Sequence, residues 1–299
     1  MRGSSNELHA TASSMNPLVY HIVSGQAFFS GAFCIVLAVW LSTRVRLRRF
    51  RTVVFVVGLL LVMLSSTPLP AVLYVAIGLS TLLWFASRWI ERLRPGSSIL
   101  VVTLWAVAVT YELTFFMVPS ITTDSRNATI LVVADSVTAG LGDDPDERTW
   151  PTLLMSEHQI AINDKSHVGE TAGSALKRIE SRFHTGTAIV EIGGNDLLGS
   201  TSPAKFGRDL NALIGELHSR KATREIIMFE LPLPPFAHSY GYAQRRVAAR
   251  YGVKLIPKRV LLSVLAGEQS TLDSIHLSQA GHRRMADVVL ALLDADGSR

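Results

Sequence analysis

From Thr52 to Ser87 the chain runs 36 residues without an Asp, Glu, Lys or Arg. As one helix this stretch would be about 54 Å long, far more than a hydrocarbon core of ~30 Å accommodates. Pro68-Leu69-Pro70 sits at its middle. Proline removes a backbone donor and clashes with the preceding turn, so the run reads as two short spans joined by a tight turn. Two more apolar segments flank it. Ile22 to Thr43 carries no charge, and Ile99 to Val118 carries only Glu112. The expectation is about four transmembrane α-helices forming a membrane domain over residues 22–118, after an N-terminal tail over 1–21.

Arginines orient these spans. Arg44, Arg46, Arg48, Arg49 and Arg51 lie between the first and second, and Arg88, Arg92 and Arg94 against one Glu91 lie between the third and fourth. Short basic loops stay on the cytoplasmic side. The tail, the proline turn and everything after Val118 then fall on the other face. The reading is an integral protein of the cell (inner) membrane with its C-terminal part outside the cytoplasm. A cleaved signal peptide fits poorly, because its positive charge precedes the apolar run, and here five arginines follow it. The net charge of +5 would suit nucleic acid. Residues 1–118 hold nine Arg and Lys against three Asp and Glu, and residues 119–299 hold 20 against 21. The basic excess belongs to the membrane loops, so no nucleic-acid partner is expected. Cys34 is the single cysteine, so no disulfide forms within one chain. The C-terminal part must rest on its own core, and its size suffices.

Pro119 to Asn127 reads as a linker, over residues 119–127. From Thr129 short apolar runs alternate with longer amphipathic ones. Strands are expected at Thr129 to Ala134, Gln159 to Asn163, Thr187 to Ile192, Glu225 to Leu231 and Val253 to Pro257. Helices are expected near Trp150 to Glu157, Ala172 to Phe183, Pro203 to Arg220, Tyr240 to Tyr251 and Ser278 to Leu293. Such alternation implies an α/β domain, over 128–299, whose parallel sheet is covered on both faces. Functional groups in such sheets gather at the carboxyl ends of the strands.

Those ends carry chemistry. The first strand closes on Asp135-Ser136, the second is followed by "HVGETAG" with Gly169, the third by "GGND" with Asn195, and "DSIHLSQAGH" holds Asp273 and His276. Ser136 alone reads as a helix cap or as a nucleophile. A serine nucleophile needs an adjacent base, histidine suits that role, and a carboxylate can orient the imidazole. Asp273 and His276, three apart, can meet on one turn. An acyl reaction also needs donors for the developing oxyanion. The Ser136 and Gly169 N–H groups and the Asn195 amide can supply them.

In this order the blocks around Ser136, Gly169, Asn195 and His276 resemble the SGNH hydrolases, also called GDSL lipases/esterases. "ADSVTAG", "GGND", "DSIHLSQAGH" and "TWPTLL" at Thr149 to Leu154 carry the resemblance over roughly residues 128–295. It implies a three-layer α/β/α flavodoxin-like fold and hydrolysis of ester or thioester bonds through an acyl-serine. It implies Ser136 as nucleophile, His276 as base, Asp273 as its partner, and Ser136, Gly169 and Asn195 as the oxyanion hole. No cofactor and no metal are implied. Ala134 stands where the family usually has glycine, which matters only if that backbone needs positive φ or a close approach.

Other features carry plainer readings. The scattered histidines lack metal-ligand spacing, and His167 is nearest the expected site. "GDDPDE", Gly142 to Glu147, reads as a solvated loop, "PLPP" at Pro232 to Pro235 as a rigid rim loop, and Glu112 as reaching the interface from the outer end of its span. The substrate is expected to be a small-molecule or lipid or glycan ester, with no obligate protein partner. Two alternatives stand beside the hydrolase: an O-acyltransferase or acetyl-esterase acting on cell-envelope glycans, and a non-catalytic membrane-anchored binding domain. The scarcity of polar residues inside the spans argues against the transferase, and the intact Ser, His and Asp argue against the binding domain.

Overall fold

The computed structural model describes residues 15–44, 47–87, 90, 94–121, 129–141, 147–179, 186–220, 223–273 and 275–294. Most of the expected linker and of the acidic run at Gly142 to Glu147 lies outside them.

The N-terminal part is all helix. α1 (Pro17–Val23) turns through 84° at Ser24-Gly25 into α2 (Gln26–Leu41). α3 (Arg48–Leu64), α4 (Ala71–Ala86) and α5 (Arg94–Phe116) follow, with the Pro68-Leu69-Pro70 triplet in the turn between α3 and α4. Helices therefore stand where spans were expected, but most are short. α2, α3 and α4 have 16, 17 and 16 residues, or about 25 Å of rise each against a ~30 Å core. Among the described residues only Pro95–Phe116 is by itself long and apolar enough to cross a membrane; α1 with α2 qualifies as a second if the bent pair is one span. The difference from four full spans is physical: the turns at Ser24-Gly25 and Ser65–Pro70 consume residues that a hydropathy count assigns to helix. α2 and α3 cross closely where Gly31 faces Gly58. A Cβ on Gly31 would lie 2.6 Å from the Gly58 carbonyl oxygen, and one on Gly58 would lie 2.8 Å from that of Gly31. Small residues at such a crossing let backbones touch.

The C-terminal part is a five-stranded parallel sheet of order β2-β1-β3-β4-β5. Its strands are β1 (Ile130–Ala134), β2 (Ile162–Asp164), β3 (Thr187–Glu191), β4 (Glu225–Phe229) and β5 (Lys254–Ile256). Side chains alternate across it. Ile130, Val132, Ala134, Ile189 and Ile227 point into a core with α7 (Trp150–His158), α12 (Lys258–Leu265) and α13 (Gln279–Asp294). Leu131, Val133, Ala188, Val190 and Met228 point the other way, against α8 (Ala172–Arg178), α10 (Pro203–Ser219) and α11 (His238–Tyr251). The result is three layers, α/β/α, in the doubly wound order whose reversal falls between β1 and β3. Two short helices complete the set at the strand ends, α6 (Ser136–Ala139) and α9 (Gly194–Leu198). α1, α9 and α12 were not anticipated from the sequence.

The two parts meet through buried polar contacts. Arg245 on α11 makes two hydrogen bonds to Glu112 of α5, at 2.6 and 2.9 Å, and one to Glu230, just after β4, at 2.7 Å. All three side chains are nearly inaccessible. Burial alone would lower the guanidinium's pKa, but Glu230 and Glu112 outweigh it and raise it. The expectation that Glu112 reaches the interface is therefore not met; its carboxylate is buried and satisfied by a cation from the other half of the chain. The Ser66 hydroxyl donates to the Pro234 carbonyl at 2.6 Å and accepts from Ala237 N–H at 3.1 Å, and Arg259 Nε donates to the Phe116 carbonyl at 3.0 Å.

Candidate active site

The site lies at the carboxyl ends of β1 and β3, at the point where the strand order reverses. β1 ends on Ala134, buried and outside the positive-φ region, so its backbone makes no demand for glycine. Asp135 then caps α6, its Oδ1 accepting from Val137 N–H at 3.0 Å. Ser136 is the first residue of that helix, and its Oγ lies 3.1 Å from His276 Nε2. The other ring nitrogen of His276, Nδ1, lies 2.6 Å from Asp273 Oδ2. Asp273 Oδ1 accepts from the backbone N–H groups of Ile275 and His276, at 3.1 and 3.0 Å. This Asx-type turn fixes both partners without help from the core. Slight burial pushes the Asp273 carboxyl upward, but the N–H groups and the imidazole prevail and hold it at about 2. Asp273 is thus ionised across the whole working range of a hydrolase.

The loops after β2 and β3 carry Gly169 and Asn195. Beyond β2 the chain keeps pairing with β1, through Lys165 N–H to Val132 O at 2.9 Å and His167 N–H to Ala134 O at 3.0 Å. This carries Gly169 level with the end of β1. Gly169 has φ +76°, which a side chain would strain. The Asn195 amide donates one N–H to the Glu170 carbonyl at 3.1 Å, leaving its second N–H for a ligand. Asp196, fully buried, accepts from Ala172 N–H at 2.9 Å and so ties α9 to the start of α8. Gly193 has φ +117°, and a Cβ there would stand 2.9 Å from Leu231 and Phe206. Hydrogen bonds thus join Asp273, His276 and Ser136 into one chain and tie Asn195 to the residue after Gly169, with Asp196 fixing two of the loops involved.

Sequence reasoning missed the group beneath the nucleophile. Glu191, the last residue of β3, is buried beside Asp135 and accepts from the Thr138 hydroxyl at 3.1 Å; Trp150 Nε1 donates to that hydroxyl at 3.0 Å. Burial pushes Asp135 up to about 6, against partial relief from the Val137 and Gly194 N–H groups, and burial with the Asp135 charge pushes Glu191 well up. Two adjacent carboxylates in low dielectric hold a proton between them. The sign follows. Between about pH 4 and pH 6 the unfolded chain releases the Asp135 proton while the folded chain keeps it, so this group's contribution to stability is full below pH 4 and is lost as pH rises through 6. Asp135→Asn keeps the cap to Val137 and imitates the protonated acid. It is expected to remove a pH-dependent loss of about 3 kcal/mol across that window, read from denaturant unfolding of both proteins at pH 4 and pH 7. Labelling of Ser136 by a fluorophosphonate should persist in the variant. An unchanged pH slope would refute the shared proton.

Comparison with known proteins bears on the fold and the family. Residues 135–284 match the model of the GDSL-like Lipase/Acylhydrolase family. Esterase TesA of Pseudomonas aeruginosa is 25% identical over 184 residues, covering 56% of this chain and 89% of that protein. Thioesterase 1/protease 1/lysophospholipase L1 of Escherichia coli K12 is 23% identical over 169 residues, covering 53% and 80%. Among solved structures, the psychrotrophic esterase EstA of Pseudoalteromonas sp. superposes with a TM-score of 0.50 at 22% identity, over 57% of this chain and 99% of that one.

Proposed function

The chain belongs to the GDSL-like lipase/acylhydrolase family and is a serine hydrolase acting on esters, and from that premise we propose how its residues divide the work and where it works. Ser136 Oγ attacks the ester carbonyl carbon while His276 Nε2 takes its proton, and Asp273 stabilises the imidazolium that forms. The tetrahedral oxyanion is held by the N–H groups of Ser136 and Gly169 and by the free amide N–H of Asn195. The C–O bond to the alcohol breaks, His276 returns the proton to the departing oxygen, and an acyl-serine remains. Water then attacks that acyl group, again losing its proton to His276, and the acid leaves with Ser136 restored. The observation that carries this reading is the continuous Asp273–His276–Ser136 chain of 2.6 and 3.1 Å contacts at the sheet's reversal point.

Asn195→Ala tests the oxyanion assignment. Losing one such donor costs about 10²- to 10³-fold in kcat, with KM nearly unchanged because the interaction belongs to the transition state. The assay is hydrolysis of p-nitrophenyl esters from acetate to palmitate by the full chain, with melting temperature measured on the same preparation. A variant with normal kcat per folded molecule and a depressed melting temperature would make Asn195 a turn former only.

The reading also places the enzyme in a membrane, with residues 22–118 as its anchor and 128–299 as the hydrolase outside the cytoplasm. In support, the helices of the N-terminal part expose large apolar side chains, among them Phe33, Leu60, Val72 (81% exposed), Leu82 and Ile99. Side chains of this kind suit lipid and are costly in water as a continuous surface. Short helices span by thinning the bilayer locally or by snorkelling flanking residues. Transfer of the acyl group to an envelope glycan is the second outcome of the ester assay: silence toward all simple esters with acylation of an added glycan would favour it.

A further inference from the structure

In the α/β part, six large apolar side chains stand exposed among the described residues: Met155, Val168, Leu198, Phe236, Leu272 and Ile275. Five of the six, all but Met155, sit on loops or helix ends at the carboxyl edge of the sheet. Val168 precedes Gly169, Leu198 ends α9 after Asn195, Phe236 follows β4, and Leu272 and Ile275 bracket Asp273. Their exposure runs from 40% to 69%. None is used by the chemistry described above. A monomer in water scatters such residues, and a ring of them around one mouth marks an interaction surface.

The same edge is the one that meets the N-terminal helices. The turn after α3 contacts the loop after β4 through Ser66 and Pro234, and the last turn of α5 contacts α12, which follows β5, through Phe116 and Arg259. Ser136 follows β1, two strands from β4, so it stands roughly 10 Å sideways from that contact. α1 gives a third marker. It lies at 84° to α2, exposes Leu18 and Val19, and packs on α12. A short helix crosswise to the one it precedes, apolar outward, has the form of one lying in a bilayer interface.

We propose that the catalytic mouth faces the bilayer surface, with Val168, Leu198, Phe236, Leu272 and Ile275 dipping into the leaflet beside the helix ends, so that the substrate is an acyl ester of an amphiphile resident in that leaflet. The proposal rests on the membrane reading above. Insertion of such a ring reaches about 5–10 Å into the headgroup and acyl boundary, which puts an ester carbonyl at that depth within reach of Ser136 without lifting the acyl chain through water.

The test uses the full chain with Cys34→Ser as background, reconstituted in phosphatidylcholine vesicles. Single cysteines are introduced as Leu198→Cys, Phe236→Cys and Leu272→Cys at the rim, Val107→Cys midway along α5, and Ser219→Cys at the exposed far end of α10. Each is labelled with an environment-sensitive fluorophore and challenged with lipid carrying a nitroxide near the top of its acyl chain. The rim and Val107 labels should lose most of their emission and the Ser219 label almost none. Rim labels that behave like the Ser219 label while the Val107 label is quenched would overturn the lipid-facing mouth alone. A Val107 label untouched by the nitroxide lipid would overturn the membrane reading, and this proposal with it.

Discussion

Ser136→Ala is expected to reduce ester turnover on the order of 10⁶-fold, and His276→Ala to match it. The two groups act as one device: without the imidazole the hydroxyl keeps its proton, and without the hydroxyl the imidazole has nothing to activate. The double variant should therefore be no worse than either single one. Stability should hardly change, because the Ser136 hydroxyl's contact is with His276, at 3.1 Å, on a loop. Fluorophosphonate labelling with peptide mapping supplies the second readout. Wild-type protein should carry the label on Ser136, and Ser136→Ala should carry none. A label that moves to another serine, or turnover that survives either substitution, would remove the nucleophile assignment.

Arg245→Ala is expected to cost about 3–5 kcal/mol of folding stability, the usual result of leaving buried carboxylates without their cation. Two are stranded here, Glu112 and Glu230, each with under 4% of its side chain accessible. Lys258 cannot stand in. It is buried with no hydrogen-bond partner for its Nζ among the described residues, and burial pushes its pKa down. The signature that separates lost charge balance from lost packing is rescue. Arg245→Met combined with Glu112→Met and Glu230→Met should recover most of what Arg245→Met alone loses, since replacing a buried ion network by apolar side chains of similar volume is often close to neutral in stability. Thermal unfolding of the detergent-solubilised full chain reads all variants. A triple variant as unstable as the single one would mean that the guanidinium acts through packing, for instance on the Phe115 ring 4.0 Å away.

The sheet and most of the site were legible because their constraints are local. A strand buried on both faces shows as an apolar run, as in Ile130–Ala134 and Glu225–Phe229, whose residues are all buried. Asp273 and His276 meet through a turn that four residues define, so spacing alone brings them together. β2 was placed only approximately, since it has three residues and none fully buried. What stayed hidden depends on distant partners. Glu112 and Arg245 are 133 residues apart, and nothing in either neighbourhood names the other. Glu191 lies within the strand expected at Thr187 to Ile192, and its closeness to Asp135 exists only once β1 and β3 pair. Asp196 stood in "GGND" without a role of its own, and its bond to Ala172 appears only when α8 and α9 are set side by side. Of the four spans expected, one helix, or two if the bent pair counts as one span, is long and apolar enough among the described residues. Hydropathy counts apolar residues, whereas length in helix depends on where the backbone turns.

The joint between the helices and the sheet has a kinetic consequence for the anchored enzyme proposed here. Ion pairs and hydrogen bonds from the α3–α4 turn and from the end of α5 fix the catalytic unit at several points, which leaves no swivel between mount and catalyst. Such an enzyme works at one height and meets substrate by a search in two dimensions. Its saturation would follow the mole fraction of ester in the surface, and dilution of the vesicles at constant lipid composition would leave its rate per molecule unchanged.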